Sequence, residues 1–161
     1  MAAASGVAHA ARAMRVSLQA QYAICGVFDL AYNGRGEPVQ VRVIGERQRI
    51  PTRYLEQIFQ RLRRARVVTG KRGPGGGYVL ARAASAITLR DVVEAVEGPA
   101  PDWIARAPGD APAPHRPDFL WPLLAERFAA ALAETTVDAL CRDAARAAVA
   151  RDDADGGMYY I

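Results

Sequence analysis

Cysteine, histidine and lysine are all scarce in this chain of 161 residues, and each shortage closes off a class of chemistry. Two cysteines, Cys25 and Cys141, are too few for a disulfide framework, and neither sits in a Cys-x-x-Cys pair. The two histidines are His9, in an Ala-rich stretch, and His115, between prolines. No Ser or Cys has a base beside it in any motif, so no catalytic constellation is expected. Long apolar runs are missing too: none approaches the roughly 18 residues that span a bilayer. Residues Met1 to Ala13 lack the apolar segment of a signal peptide, which makes a cytoplasmic protein the expectation. Lys71 is the only lysine, and the other 20 basic residues are Arg, a skew that reflects a GC-rich genome more than chemistry.

Positive charge is present but unevenly placed. Residues 1–98 carry 15 basic and 7 acidic side chains (net +8), and residues 99–161 carry 6 and 10 (net −4). Between Arg35 and Arg72 the count is 11 basic against 3 acidic. Such a field attracts phosphate and releases counterions. The same run also fits a plain solvated face.

Periodicity supplies the elements. Apolar residues at three- and four-residue spacing between Val16 and Tyr32 predict a helix, which Asn33-Gly34-Arg35-Gly36 stops. Val39-Gln40-Val41 reads as a short extended piece, and Val43, Ile44 and Gln48 fall in a short second helix. Pro51 suits the first turn of a third, with Leu55, Ile58, Phe59 and Leu62 as its inward stripe. Val67-Val68-Thr69 and Tyr78-Val79-Leu80 flank Gly70 to Gly77 as a hairpin. Thr88 caps a helix over 89–96, ended by Gly98-Pro99. Six of ten prolines lie between Pro99 and Pro117, so that segment reads as a loop.

Beyond the loop, Leu120, Leu123, Leu124, Phe128, Ala131 and Leu132 form a helical stripe. With the loop separating it from the preceding core, this stripe is expected to meet a second subunit. Thr136 caps a last helix through about Ala150, and Asp152 to Gly157 reads as a polar, flexible tether. The expected divisions are an extension (1–13), a DNA-binding domain (14–98), a Pro-rich loop (99–118), dimerisation helices (119–150) and a tail (151–161). The fold class is mostly α with a small β-hairpin wing, a winged helix-turn-helix with a long C-terminal dimerisation helix.

A recognition helix points its first residues at base edges. Here those are Thr52, Arg53, Tyr54, Glu56 and Gln57, all off the apolar stripe. Arg suits guanine, Gln suits adenine, Glu accepts from cytosine N4, and Tyr or Thr reaches phosphate or methyl. Glu56 has two readings, as a base reader or as an intrahelical partner of Arg63 or Arg53. Arg64, with Arg61, Arg63 and Arg66, lies further along, where phosphate contact or solvation is expected. In the wing, Lys71, Arg72, Gly73, Pro74 and Gly75 bring backbone close to DNA, with Arg72 suited to a narrow minor groove. A nucleotide-cradling loop fails on spacing, since no Gly-Lys-Ser/Thr follows a four-residue gap. A purely structural hairpin stays open.

These motifs together carry a resemblance. Gln21-Tyr22-Ala23, Gly45-Glu46-Arg47-Gln48, Tyr54-Leu55-Glu56-Gln57, Arg72-Gly73-Pro74-Gly75-Gly76-Gly77-Tyr78 and Glu94-Ala95-Val96-Glu97-Gly98-Pro99 resemble the winged-helix regulator family that includes IscR, NsrR and CymR. Trp121 and Thr135 to Leu140 extend the match. The resemblance implies a homodimeric repressor that binds a partly palindromic operator. Members holding an iron–sulfur cluster place three cysteines between Gly98 and the dimer helix; this chain has none there. His115 falls near the third cysteine's place and Asp118 where some members have a histidine, a set (with Asp110) that suits cluster iron poorly. No cofactor and no metal are therefore expected. Cys25 is expected as a small core residue, and Cys141 as a redox candidate.

The tail adds one implication. Cysteine-metabolism repressors of this family lack the cluster cysteines and end much like Met158-Tyr159-Tyr160-Ile161. The resemblance implies cysteine synthase (O-acetylserine sulfhydrylase) as a partner, with Tyr159, Tyr160 and Ile161 as the binding residues. A tuck of these residues onto their own dimer is the alternative. A cofactor-bearing sensor of the same family and a non-specific nucleic-acid module are the other classes compatible with the chain.

Overall fold

Alternation between helical stripes and turn residues is what the computed structural model converts into three-dimensional order; it describes residues 16–100, 111 and 113–152. Helix α1 spans Leu18–Gly34. Ser17 opens it, its hydroxyl oxygen accepting from the Ala20 amide at 3.1 Å, and also bonds Glu97. Helix α2, Val41–Gln48, and helix α3, Thr52–Arg64, follow with a short turn between them. Strands β1, Val68–Lys71, and β2, Gly77–Leu80, pair antiparallel, with Val68 opposite Leu80 and Lys71 opposite Gly77. A 3-10 turn at Ala84–Ala86 leads to helix α4, Leu89–Glu97, then helix α5, Leu120–Glu134, and helix α6, Val137–Arg146.

The core lies where α1, α3 and α4 meet. Val27, Ile44, Leu55, Phe59, Leu62, Ile87, Val92 and Val93 are all fully buried there. Thr88 and Asp91 close a capping box at the start of α4: the Asp91 amide donates to the Thr88 hydroxyl (3.1 Å) and the Thr88 amide to Asp91 (2.9 Å). The turn between α2 and α3 is tight. A Cβ on Gly45 would come within 2.8 Å of the Ile50 carbonyl oxygen, so the two helices approach through a residue without a side chain.

Several boundaries differ from the sequence reading, each for a physical reason. Helix α1 runs through Gly34 and turns at Arg35 instead, whose φ of 50° takes the left-handed role. Of the extended piece only Val39 pairs, exchanging hydrogen bonds with Tyr78 at 2.8 and 3.0 Å, while Val41 already begins α2. Pro51 stands just before α3 as its cap. The last helix ends at Arg146 rather than near Ala150, because Ala148 adopts φ 57° and the Val149 amide returns to the Ala144 carbonyl.

The loop does not isolate α5 from the rest of the chain. Helix α5 packs along α4, burying Ala125 and Ala129. At its far end the Leu89 amide donates to Thr135 (2.9 Å) and the Val137 amide to Ile87 (2.8 Å). Small residues allow this close contact, which an apolar-stripe argument overlooks.

The start of the supposed tether is also fixed. Asp29, fully buried in α1, accepts from Arg47 (2.5 Å at the shortest), Gln48 (2.9 Å) and Asn33 (3.1 Å). Arg47 reaches on to Asp152 at 2.8 Å, whose own amide donates to Asn33, and Arg151 stacks on Tyr32 at 4.3 Å. Its hydrogen bonds to Asp29, before those to Asp152, push the Arg47 guanidinium further up from its ordinary value. A buried carboxylate without such donors would cost several kcal/mol, on the order of the penalty for one uncompensated buried charge.

Candidate nucleic-acid interface

Helix α3 divides into two faces. Leu55, Ile58, Phe59 and Leu62 face inward and are buried, while Arg53, Tyr54, Glu56, Gln57 and Arg64 are exposed and Thr52 is half-buried. The separation follows from the 3.6-residue period: positions 55, 58, 59 and 62 share one side, so every residue between them points elsewhere. Arg53 lies over the Tyr54 ring at 4.8 Å and donates from Nη2 to the Tyr54 hydroxyl at 2.9 Å. Glu56 makes no ion pair among the described residues, so neither Arg53 nor Arg63 takes it up. Arg61 instead donates to the Val96 carbonyl at 3.2 Å, tying α3 to α4.

The wing is mounted on the same helix. Tyr78, in β2, sits against Phe59 with ring centroids 5.0 Å apart, and its backbone is bridged to Val39. Lys71, Arg72, Gly73, Pro74 and Gly75 are exposed at the tip. Gly73 and Gly75 hold φ of 92° and 72°, a conformation that L side chains rarely adopt, and the Gly76 amide closes the turn onto Gly73. At the wing's base Arg82 donates to the Ala86 and Arg66 carbonyls (3.0 and 2.7 Å) and pairs with Asp91 (3.1 Å). Sequence reasoning missed Arg82, as it missed Asp29 and Arg47. The one signal for the last pair was an acid inside an otherwise apolar helix.

The remaining candidates are scattered. On α5, Leu123 is 41% exposed and Phe119, just before it, 75% exposed. Leu120, Leu124, Phe128 and Leu132 are half-buried, and Leu132 also touches the core. Tyr159, Tyr160 and Ile161 lie outside the described residues, as do the extension 1–13 and Asp110. His115 is exposed. Asp118 is held by Arg116 at 2.5 and 3.0 Å, with Trp121 Nε1 at 3.4 Å; the Arg116 bond keeps its carboxyl below the usual range. Cys25 and Cys141 are both half-buried, and burial pushes both thiols up, which leaves less thiolate for redox chemistry. Among the described residues no helix is long and apolar enough to cross a membrane.

The comparisons with known proteins agree with this geometry. Residues 16–143 match the profile of Rrf2, described as an iron-dependent transcriptional regulator. The HTH-type transcriptional regulator IscR of Escherichia coli K12 is 44% identical over 84 residues, 52% of this chain and 52% of that protein. The chain thus spans about half the length of the curated relatives it matches. Among solved structures, T. potens IscR superposes with a TM-score of 0.68 at 30% identity, covering 93% of this chain and 99% of that one. CymR (YrzC), the global cysteine regulator of B. subtilis, superposes with a TM-score of 0.65 at 28% identity, over 81% and 98%. With the profile running from α1 into α6 and these folds superposing on it, the chain belongs to the Rrf2 family of transcriptional regulators.

Proposed function

We propose that this chain is a sequence-specific DNA-binding repressor that acts as a homodimer on a partly palindromic operator. One observation carries the reading: α3 buries its whole apolar face and leaves Arg53, Glu56 and Gln57 exposed beside a wing seated on Phe59. In this arrangement the start of α3 enters the major groove, and Arg64 and the wing cations meet phosphates on either side. Glu56 is repelled by phosphate, so its place is at a base edge, accepting from cytosine N4. The exposed apolar residues of α5 pair two copies, which sets the two recognition helices one helical turn apart, roughly 34–36 Å. Repression follows from occupancy, since the dimer covers the DNA that a polymerase needs.

The family description implies iron, and the residues present do not fit it. The chain has no cysteine between Cys25 and Cys141, and Asp118 is spent on Arg116 and Trp121. Among the described residues no group of three or more His, Cys, Asp or Glu is placed to hold a metal. The regulator reads its signal without a thiolate-held cluster.

The finer assignment, control of cysteine metabolism through capture of Tyr159, Tyr160 and Ile161 by cysteine synthase, draws on Met158-Tyr159-Tyr160-Ile161 and on the likeness to a cysteine regulator. A free terminal carboxylate behind two aromatic residues suits a cleft of backbone donors. The test is selection of bound duplexes from a random pool by the purified full chain. An enriched inverted repeat is the expected result, and uniform binding to every duplex overturns the specific-regulator reading. Titration of cysteine synthase with a peptide covering 155–161, free and amidated, decides the finer one.

A further inference from the structure

Resting on the DNA-binding reading above, we infer that Arg49, in the turn between α2 and α3, is a DNA-backbone contact, and that a strained conformation is maintained there for it. Arg49 holds φ 55° and ψ 44°, the left-handed region where glycine is the ordinary choice. Helix-turn-helix turns commonly place glycine for this reason. The backbone leaves no freedom to escape. The Arg49 and Ile50 amides both donate to the Gly45 carbonyl, and Ile50 is buried. An L side chain is therefore carried in an unfavourable conformation at a position fixed from both sides.

Its guanidinium is exposed and meets no partner among the described residues. Its neighbours are occupied: Arg42 with Glu46, Arg47 with Asp29 and Asp152, Arg53 on Tyr54. The position has a meaning for DNA. In this motif the first helix crosses the backbone while the second puts its amino-terminal end into the groove. The turn joining them passes between phosphate and groove, three residues before Thr52. An unpaired cation there meets a phosphate at the groove's edge, and Arg fits that oxyanion with two donors where Gly offers none.

Binding of the full-length chain to its selected operator and to random duplex, across a salt series, tests this with Arg49→Gly and Arg49→Lys beside the wild type. Arg49→Gly is expected to fold with an unchanged or higher melting midpoint, because glycine accepts the conformation. It is expected to bind both duplexes several-fold more weakly, with a salt slope flatter by about 0.9, the value of one phosphate. Its deficit against wild type then shrinks about 3.5-fold between 50 and 200 mM salt, which is that slope applied to a fourfold change. Arg49→Lys keeps the slope. An Arg49→Gly protein with wild-type affinity and slope overturns the inference. A wild type that binds no duplex overturns the underlying DNA-binding reading instead, so the two failures are distinguishable.

Discussion

Helices α3 and α5 carry similar apolar stripes, yet among the described residues one is fully covered and the other only in part. Leu55, Phe59 and Leu62 of α3 are completely covered by α1, α4 and the wing. Helix α5 buries only Ala125 and Ala129 against α4 and leaves Leu123 open. Their outer faces differ as well: α3 presents Arg53, Glu56, Gln57 and Arg64, whereas α5 presents Leu123 and small alanines between the charges of Glu126, Arg127 and Glu134. A charged outer face invites phosphate, whereas an apolar one invites another apolar face. On the proposed reading, DNA falls to the first helix and a second copy to the other.

The largest way to break that contrast is from inside α3. Phe59→Ala removes a ring packed on Tyr78 and leaves a cavity at the centre of the core, so a loss of about 3–5 kcal/mol is expected. Denaturant melting should show the wing and the helices unfolding together at a lower midpoint. A loss below about 1 kcal/mol would mean that the core tolerates the gap and that α3 is less anchored than its burial implies.

Next is the outer face of α5. Leu123→Glu with Leu124→Glu puts two charges into the predicted pairing surface, a penalty of several kcal/mol. Sedimentation should give a monomer, with circular dichroism unchanged and operator binding lost. An intact dimer would place the interface elsewhere. The inner face of α5 responds differently: Ala129→Leu overpacks the contact with α4 and should cost about 1–3 kcal/mol in monomer stability. If Ala129→Leu is silent, α5 is only loosely seated on α4.

How far this division was legible in the sequence depended on the range of the interactions. The α3 stripe shows because period and burial coincide over residues 55–62, and the wing shows because Gly73 and Gly75 have a local backbone reason. The seat of α5 did not show: it rests on alanines, which carry little hydrophobic signal, and on pairings such as Leu89 with Thr135 that bring distant segments together. The Asp29–Arg47–Asp152 network was hidden for the same reason, its members being far apart in the chain. Arg49 was unreadable as a helix end because arginine ordinarily continues a helix, whereas the stop around Arg35 showed through its flanking glycines.

The smallest expected effect sharpens the outer face of α3. Glu56 is exposed and unpaired among the described residues, so Glu56→Ala should change stability by less than about 0.5 kcal/mol. On DNA the same substitution removes a negative charge from a basic surface, which by itself strengthens binding to every sequence. Against that general gain, loss of an acceptor for cytosine N4 should relax discrimination at one base pair per half-site, worth about 1–3 kcal/mol. The two effects separate cleanly when the operator and its single-base variants are titrated at one salt concentration. Arg64→Ala is the control: as a phosphate contact it should weaken all duplexes alike and flatten the salt slope. A uniform shift for Glu56→Ala, with the ranking of base variants intact, would leave Glu56 as an electrostatic brake and move base reading onto Arg53 and Gln57.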